Sequence, residues 1–357
     1  MMKAIGAAIV GAALLGSSIG LTAQSKTVSA NERLDVLKRA QVWTQTDVRS
    51  MDLRVGPEEH GFRVGETVNC TYVEKKFGGR TPKFACARDS KPKDVLKVRY
   101  GADNGEVYAG VAATRLLWAL GFGADAVYPV RVVCRGCPDQ LKSAGKKQGD
   151  SIVFDVAAIE RPFDGEDVEA RGVDEGWSWK ELDQVDQNAG GAPPAQRDAL
   201  KLLAAFIQHS DNKAQQQRLV CLSGGKTREE LAGCDMPFMM IHDLGVTFGR
   251  ANLFNKATIG SVNLEEWSKA KIWKDQERCV ANLAQSQTGT LDDPVISEGG
   301  RGFLSDLLAR LSDRQISDMF ASARFAEKPS GGAPIASWVD TFKKKRAEIA
   351  SAHCPRP

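Results

Sequence analysis

The chain has 357 residues, 48 basic against 45 acidic, so its net charge is close to neutral. With no long basic stripe, nucleic acid is excluded as the evident partner, and a chain of this length is large for one core and is expected to divide into two lobes. Beyond the first two dozen residues no apolar run is long enough to cross a bilayer.

The N-terminus is where a membrane enters the reading. Lys3 precedes an uncharged run, Ala4 to Ala23, and polar Gln24, Ser25 and Lys26 follow. This is the pattern of a signal peptide, cut after Ala23, the alternative being a retained anchor. After cleavage no stable membrane insertion is expected, and the protein would be periplasmic or secreted. The eight cysteines all lie beyond this segment, as expected of a disulfide framework in an oxidising compartment. Their spacing suggests Cys70 with Cys86, Cys134 with Cys137, Cys221 with Cys234, and Cys279 with Cys354. The C-R-G-C of residues 134–137 could instead be a redox pair or half a zinc site, but no second C-x-x-C and no nearby His completes a zinc set.

Residues 24–60 form an N-terminal extension with a short helix near Asn31 to Ala40. Strand patterns follow at Glu66 to Val73, Lys83 to Ala87 and Asp94 to Tyr100, with a turn around Gly78, Gly79, Arg80 and Thr81 between the first two. Gly105 to Leu120 has helical spacing and Gly121 is placed to end it. Val127 to Cys134 and Ser151 to Ile159 are strands, so residues 61–160 read as an α+β unit on an antiparallel sheet. An acidic loop, Asp164, Glu166, Asp167, Glu169, Asp174 and Glu175, lacks calcium-loop spacing and reads as solvated. Trp177 and Trp179 could stack on a sugar or base, but read as core.

From 161 to 357 the chain is mainly helical: Ala195 to His209, Gly302 to Arg324 and Ile335 to Ala352, with a short strand pair at Arg218 to Cys221 and Phe238 to His242. The K-K-K-R of residues 343–346 reads as a solvated helix face.

Two segments carry chemistry. Residues 209–216 read H-S-D-N-K-A-Q-Q and residues 242–245 read H-D-L-G, each ending an apolar run. Upstream, Lys97 sits in the strand V-L-K-V and Glu106 opens the next helix, where an ion pair between them could form. Singly, Asp211, Asn212 and Asp243 are ordinary turn residues, and His209 and His242 ordinary structural histidines. In order, they match the parts of a phosphoryl-transfer site: strand lysine, helix glutamate, loop aspartate, loop amide and second aspartate.

In that order and spacing the chain resembles the protein-kinase-like superfamily, in its atypical branches: the secretory-pathway Golgi casein kinases and the HipA-like kinases. H-S-D-N-K-A-Q-Q stands where H-R-D-x-K-x-x-N would, and D-L-G where D-F-G would. G-E-V-Y and A-A-T-R-L-L-W-A-L-G-F-G-A-D, at residues 105–125, also resemble exported bacterial proteins with no function to carry over.

The resemblance implies an α+β, two-lobed, disulfide-stabilised fold with a small β-rich N-lobe over residues 61–160 and a larger, mainly helical C-lobe over 161–357. It implies ATP or another nucleotide as cofactor, with Mg or Mn. Lys97 would hold phosphates, oriented by Glu106, with Gly78 and Gly79 as the phosphate cover. Asp211 would align or deprotonate the attacking hydroxyl, and Lys213 would neutralise the transferred group. Asp243 with Gln216, or nearby Asn212, would ligate metal. The acceptor is an unknown protein, sugar or small molecule. Two departures stand out: Gln216 replaces the usual Asn, and no G-x-G-x-x-G precedes Lys97. A non-catalytic, pseudokinase-like envelope or secreted binding protein is the alternative.

Overall fold

The computed structural model describes residues 28–58, 61–79, 81–170, 175–225, 233–250, 261–283 and 289–355. The signal segment with its cleavage point, Arg80 and Asp174 lie outside the described residues.

Alternating apolar residues build a barrel. Strands β1 (Thr67–Val73), β2 (Lys83–Arg88) and β3 (Lys91–Tyr100) form an antiparallel meander. Helix α2 (Gly105–Leu120), after α1 (Ala30–Lys38), then carries the chain back, so β4 (Ala126–Arg135) lies parallel to β1, joined in register from Thr67↔Arg131 to Thr71↔Arg135. The expected all-antiparallel sheet is corrected here, because a hairpin would reverse the strand direction, whereas the helical crossover brings the chain back to run in the same sense as β3 and β1. After the short β5 (Lys146–Gln148), β6 (Ser151–Arg161) pairs antiparallel with β4 on one side and β3 on the other, closing the sheet. Val68, Phe84, Leu96, Val98, Tyr100, Val130, Val132, Phe154 and Ile159 fill the interior.

One irregularity in β6 positions the site. Val130 and Val132 of β4 face Ala157 and Phe154, so β6 carries one residue more than its partner across that step. Such a bulge exchanges the two faces of the strand beyond it. Ile152 and Phe154 point inward, then Ala157 and Ile159 do, which leaves Glu160 on the outer face. The bulge carbonyls are occupied: Arg324 donates to Asp155 O and Ala157 O, and Gly101 N to Val156 O.

Helix α2 begins at Asn104, whose side chain accepts from Glu106 N, and ends at Gly121 in the left-handed region. It packs on the outside of the barrel against Val127 and Ala158, and its other side joins a second, larger core. That core holds α3 (Pro194–Phe206), α4 (Leu264–Lys269), α5 (Glu298–Ala309), α6 (Asp313–Ser322) and α7 (Ile335–Ser351). The single helix expected over Gly302 to Arg324 is two, because Ser312 and Gln315 form a capping box that starts a new helix. A three-stranded sheet in the order β7 (Glu166–Asp167), β8 (Gln217–Cys221), β9 (Pro237–Ile241) lies beside it, with a small ribbon of β10 (Trp273–Asp275) and β11 (Val280–Ala281).

All four disulfides are those suggested by spacing, including Cys134–Cys137, so the zinc alternative falls away in the oxidised protein. Among the described residues no helix is long and apolar enough to cross a membrane. Trp177 and Trp179 are buried against each other, edge to face at 5.2 Å, on a loop and a 3-10 turn rather than a strand. In the acidic loop, Glu166 and Asp167 pair with β8, Asp164 accepts from Ser223, and Asp167 meets Arg218 at 3.1 Å.

Candidate active site

The outer face of β2 and β3 supplies the cations. Residues two apart on a strand share a face, so Lys97 and Arg99 point the same way, and the β2 register adds Lys83 opposite Arg99. Directly across from Lys97 on β6 is Glu160. Its carboxylate takes Lys97 at 2.6 Å through one oxygen and Arg99 at 2.9 Å through the other. The expected Lys97 to Glu106 pair is therefore not formed. Glu106, in the first turn of α2, is held instead by Arg99 and by Thr81 Oγ1 at 2.9 Å.

Arg99 is the centre of the site and escaped the sequence reading. Its guanidinium is 3% exposed and binds three carboxylates, Glu106, Glu160 and, at 2.8 Å, Asp243. Burial opposes its charge, but the three anions outweigh that and raise its pKa well above the usual arginine value. The reciprocal effect falls on the carboxylates. Burial alone would raise Asp243, yet the charge and hydrogen bond of Arg99, with Lys97 beyond, hold it well below the usual range. Glu160 is lowered in the same way, whereas at Glu106 burial prevails and the pKa is raised. Gly245 permits this contact, since a Cβ there would sit 2.7 Å from Glu106 Cγ.

The opposite wall is the turn after α3. Gln216 joins it to the H-D-L-G segment: its carbonyl accepts from His242 N at 2.7 Å and Asp243 N at 3.1 Å. The Gln216 side chain donates to Asp211 at 2.8 Å, and Lys213 lies 3.4 Å from the same carboxylate. Lys213 and Gln216 line the cleft beside Asp243, His242, Lys97, Glu160, Lys83, Gly78 and Gly79, around a volume of about 560 Å³. Asp211 stands just behind that lining. Asn212 does not line the cleft: it is buried, its oxygen accepting from Thr290 N and Leu291 N and its amide donating to His209 O. His209 is buried with both ring nitrogens unpartnered among the described residues, and burial pushes its pKa down to about 4.

His242 has a carboxylate behind it. Its Nδ1 lies 2.6 Å from Asp125 Oδ2, and Asp125 Oδ1 accepts from Phe163 N at 2.8 Å. Donor atoms of Asp125, Glu160 and His242 lie within 4.8 Å of one another, a group able to surround a cation. Both Glu160 oxygens already face Lys97 and Arg99, however, so a cation there competes with two built-in ones. Asp243 is engaged as well, Oδ2 by Arg99 and Oδ1 by Gly245 N, whereas the Gln216 amide oxygen at the cleft has no donor among the described residues. A carboxylate and an amide oxygen suit a hard divalent cation.

No protein family and no curated protein matches this chain. Among solved structures it is similar to the proinflammatory kinase CtkA of Helicobacter pylori. Identity is 12%, with 80% of this chain and 95% of that one covered at a TM-score of 0.41. It is also similar to the HipA, HipB and operator DNA complex of the Shewanella oneidensis MR-1 toxin–antitoxin system. Identity is 14%, with 84% and 68% covered at a TM-score of 0.32. Both TM-scores lie below 0.5.

Proposed function

We propose that this chain is an exported kinase-like protein of two lobes, the barrel and the helical region, whose cleft binds a nucleotide with a divalent metal and transfers a phosphoryl group to an unidentified acceptor. The observation that carries the reading is convergence: groups from β3, β6, the Asp211 turn and the Asp243 turn meet on one cleft, with Glu106 of α2 tied to it through Arg99. Oxidised disulfides and the leader pattern support export.

Asp243 and the Gln216 oxygen would hold Mg or Mn, which would neutralise phosphate charge. Asp211, fixed by Gln216, accepts the acceptor hydroxyl's proton or aligns that hydroxyl, and Lys213 offsets charge developing on the transferred group. Glu106 holds Arg99 in place, and Arg99 in turn holds Asp243 ionised. Thermal denaturation of the mature protein with ATP or ADP plus Mn²⁺ tests this: stabilisation is expected, and Asp243→Ala should abolish it. No shift with any nucleotide would remove the reading.

One observation favours the second reading, a non-catalytic binding protein. Arg99 already occupies Asp243 Oδ2, where a kinase would have metal. Nucleotide-dependent stabilisation that is independent of metal and survives Asp243→Ala would select it.

A further inference from the structure

Of the three cations that β2 and β3 gather around Glu160 and the cleft, Lys83, Lys97 and Arg99, two are already neutralised. Lys97 is bound to Glu160, and Arg99 to three carboxylates. Lys83 is different. It sits directly opposite Arg99 in the β2–β3 register, half-buried in the same cleft, and has no ion pair or hydrogen bond among the described residues. An ammonium withdrawn from water without an anion in direct contact is unfavourable, and the adjacent guanidinium adds to the cost, which the more distant Glu106 and Asp243 offset only in part. Burial first, then Arg99, lowers its pKa.

The turn above it is shaped for close approach. Gly79 has φ of +80°, a conformation that side-chain-bearing residues resist, and a Cβ there would lie 3.0 Å from Lys83 Nζ. A Cβ on Gly78 would meet nothing within 4 Å, so the backbone passes over the ammonium with room beside it. Lys75 and Lys213 line the same space. The Cys70–Cys86 bridge ties together the two strands that carry this turn.

We propose that Lys83, rather than Lys97, is the principal anchor for the oligophosphate of the ligand, held between its ammonium and the Gly78–Gly79 turn. Recruiting Lys97 instead would take one cation from the buried Glu160 carboxylate, which costs more than engaging a cation that has no partner. The inference rests on the nucleotide reading for its biological ligand but not for its test.

Isothermal titration calorimetry of the mature, disulfide-intact protein with inorganic tripolyphosphate, and separately with ATP plus Mn²⁺, distinguishes the two. Lys83→Gln should weaken tripolyphosphate binding about tenfold, roughly one charge-assisted contact, and Lys83→Arg should restore most of it. Lys97→Gln should weaken it by less. Wild-type affinity in Lys83→Gln, or a greater loss in Lys97→Gln, overturns the assignment. Tripolyphosphate binding that depends on Lys83 without ATP binding keeps the anchor and removes the nucleotide. ATP binding indifferent to Lys83 does the reverse, and no binding of either ligand removes both.

Discussion

The two walls of the cleft are held by different forces. On the barrel side, Arg99 and Lys97 are locked to Glu106, Glu160 and Asp243 in a network whose centre, Arg99 with Glu106 and Glu160, is buried while Lys97 and Asp243 reach the cleft. On the other side, Asn212 and Gln216 fix the turn through neutral hydrogen bonds, and the charges of Asp211 and Lys213 stay about one-third exposed. A buried charge network is intolerant of losing one member, whereas exposed charges are exchangeable. The barrel wall is therefore a fixed electrostatic frame, and the turn is the wall on which chemistry can vary without unfolding the protein.

The largest effect should come from breaking the frame. Arg99→Ala leaves three carboxylates facing one another and should cost about 3–5 kcal/mol in urea unfolding. A loss within about 0.5 kcal/mol would mean that the network is solvated and the contrast between the walls is false.

Next comes acid sensitivity at the base of the turn. His209 has a folded-state pKa of about 4 against 6.5 for the free side chain, so its contribution is present above pH 6.5 and is lost as pH falls toward 4. That is about 3 kcal/mol, and His209→Leu should flatten the slope of stability against pH across this window. Asp243 and Glu160, with lowered pKa values, lose their contributions at lower pH, as it falls below the ordinary carboxylate range. An unchanged slope in His209→Leu would place the sensitivity elsewhere.

A smaller loss, about 2 kcal/mol, is expected for Asn212→Ala, which leaves the Leu291 amide without an acceptor and Thr290 N with only the longer bond to Asn212 O at 3.3 Å. Smallest of all, Lys213→Ala should change stability by less than about 0.5 kcal/mol, because its pair with Asp211 is exposed. A measured cost near that of Arg99→Ala would erase the difference between the walls.

Much of the fold was legible because it follows local rules. Helix α2 lies where its spacing and Gly121 put it, the strand cores coincide, and cysteine spacing led to all four bridges. The parallel β1–β4 pair and barrel closure were not legible, since neither strand encodes which partner it meets. At the site, the motifs located Asp211, Gln216 and Asp243 on two facing turns. They misplaced the partner of Lys97, because Glu160 reaches the outer face only through the bulge, and alternation counted along S-I-V-F-D-V-A-A-I-E would turn it inward. Arg99 had one available signal, being two residues from Lys97 on the same strand. Asn212 looked like a ligand by position, yet tertiary contacts with Thr290 and Leu291 use its oxygen.

Barrel closure also restricts how a macromolecule can meet this protein. An open sheet offers an unpaired row of amides and carbonyls along which an incoming peptide can lie as an extra strand. Here β3 has β2 on one side and, over Lys97–Tyr100, β6 on the other, and β1 lies between β2 and β4, so the open stretch is the Lys91–Leu96 end of β3. The one short strand hanging from the barrel, β5, is three residues long and carries Lys146 and Lys147, poor material for templating. A polypeptide could add a strand to the barrel only along the lysine-bearing Lys91–Leu96 end of β3 or along β5, and elsewhere would have to be recognised by side chains.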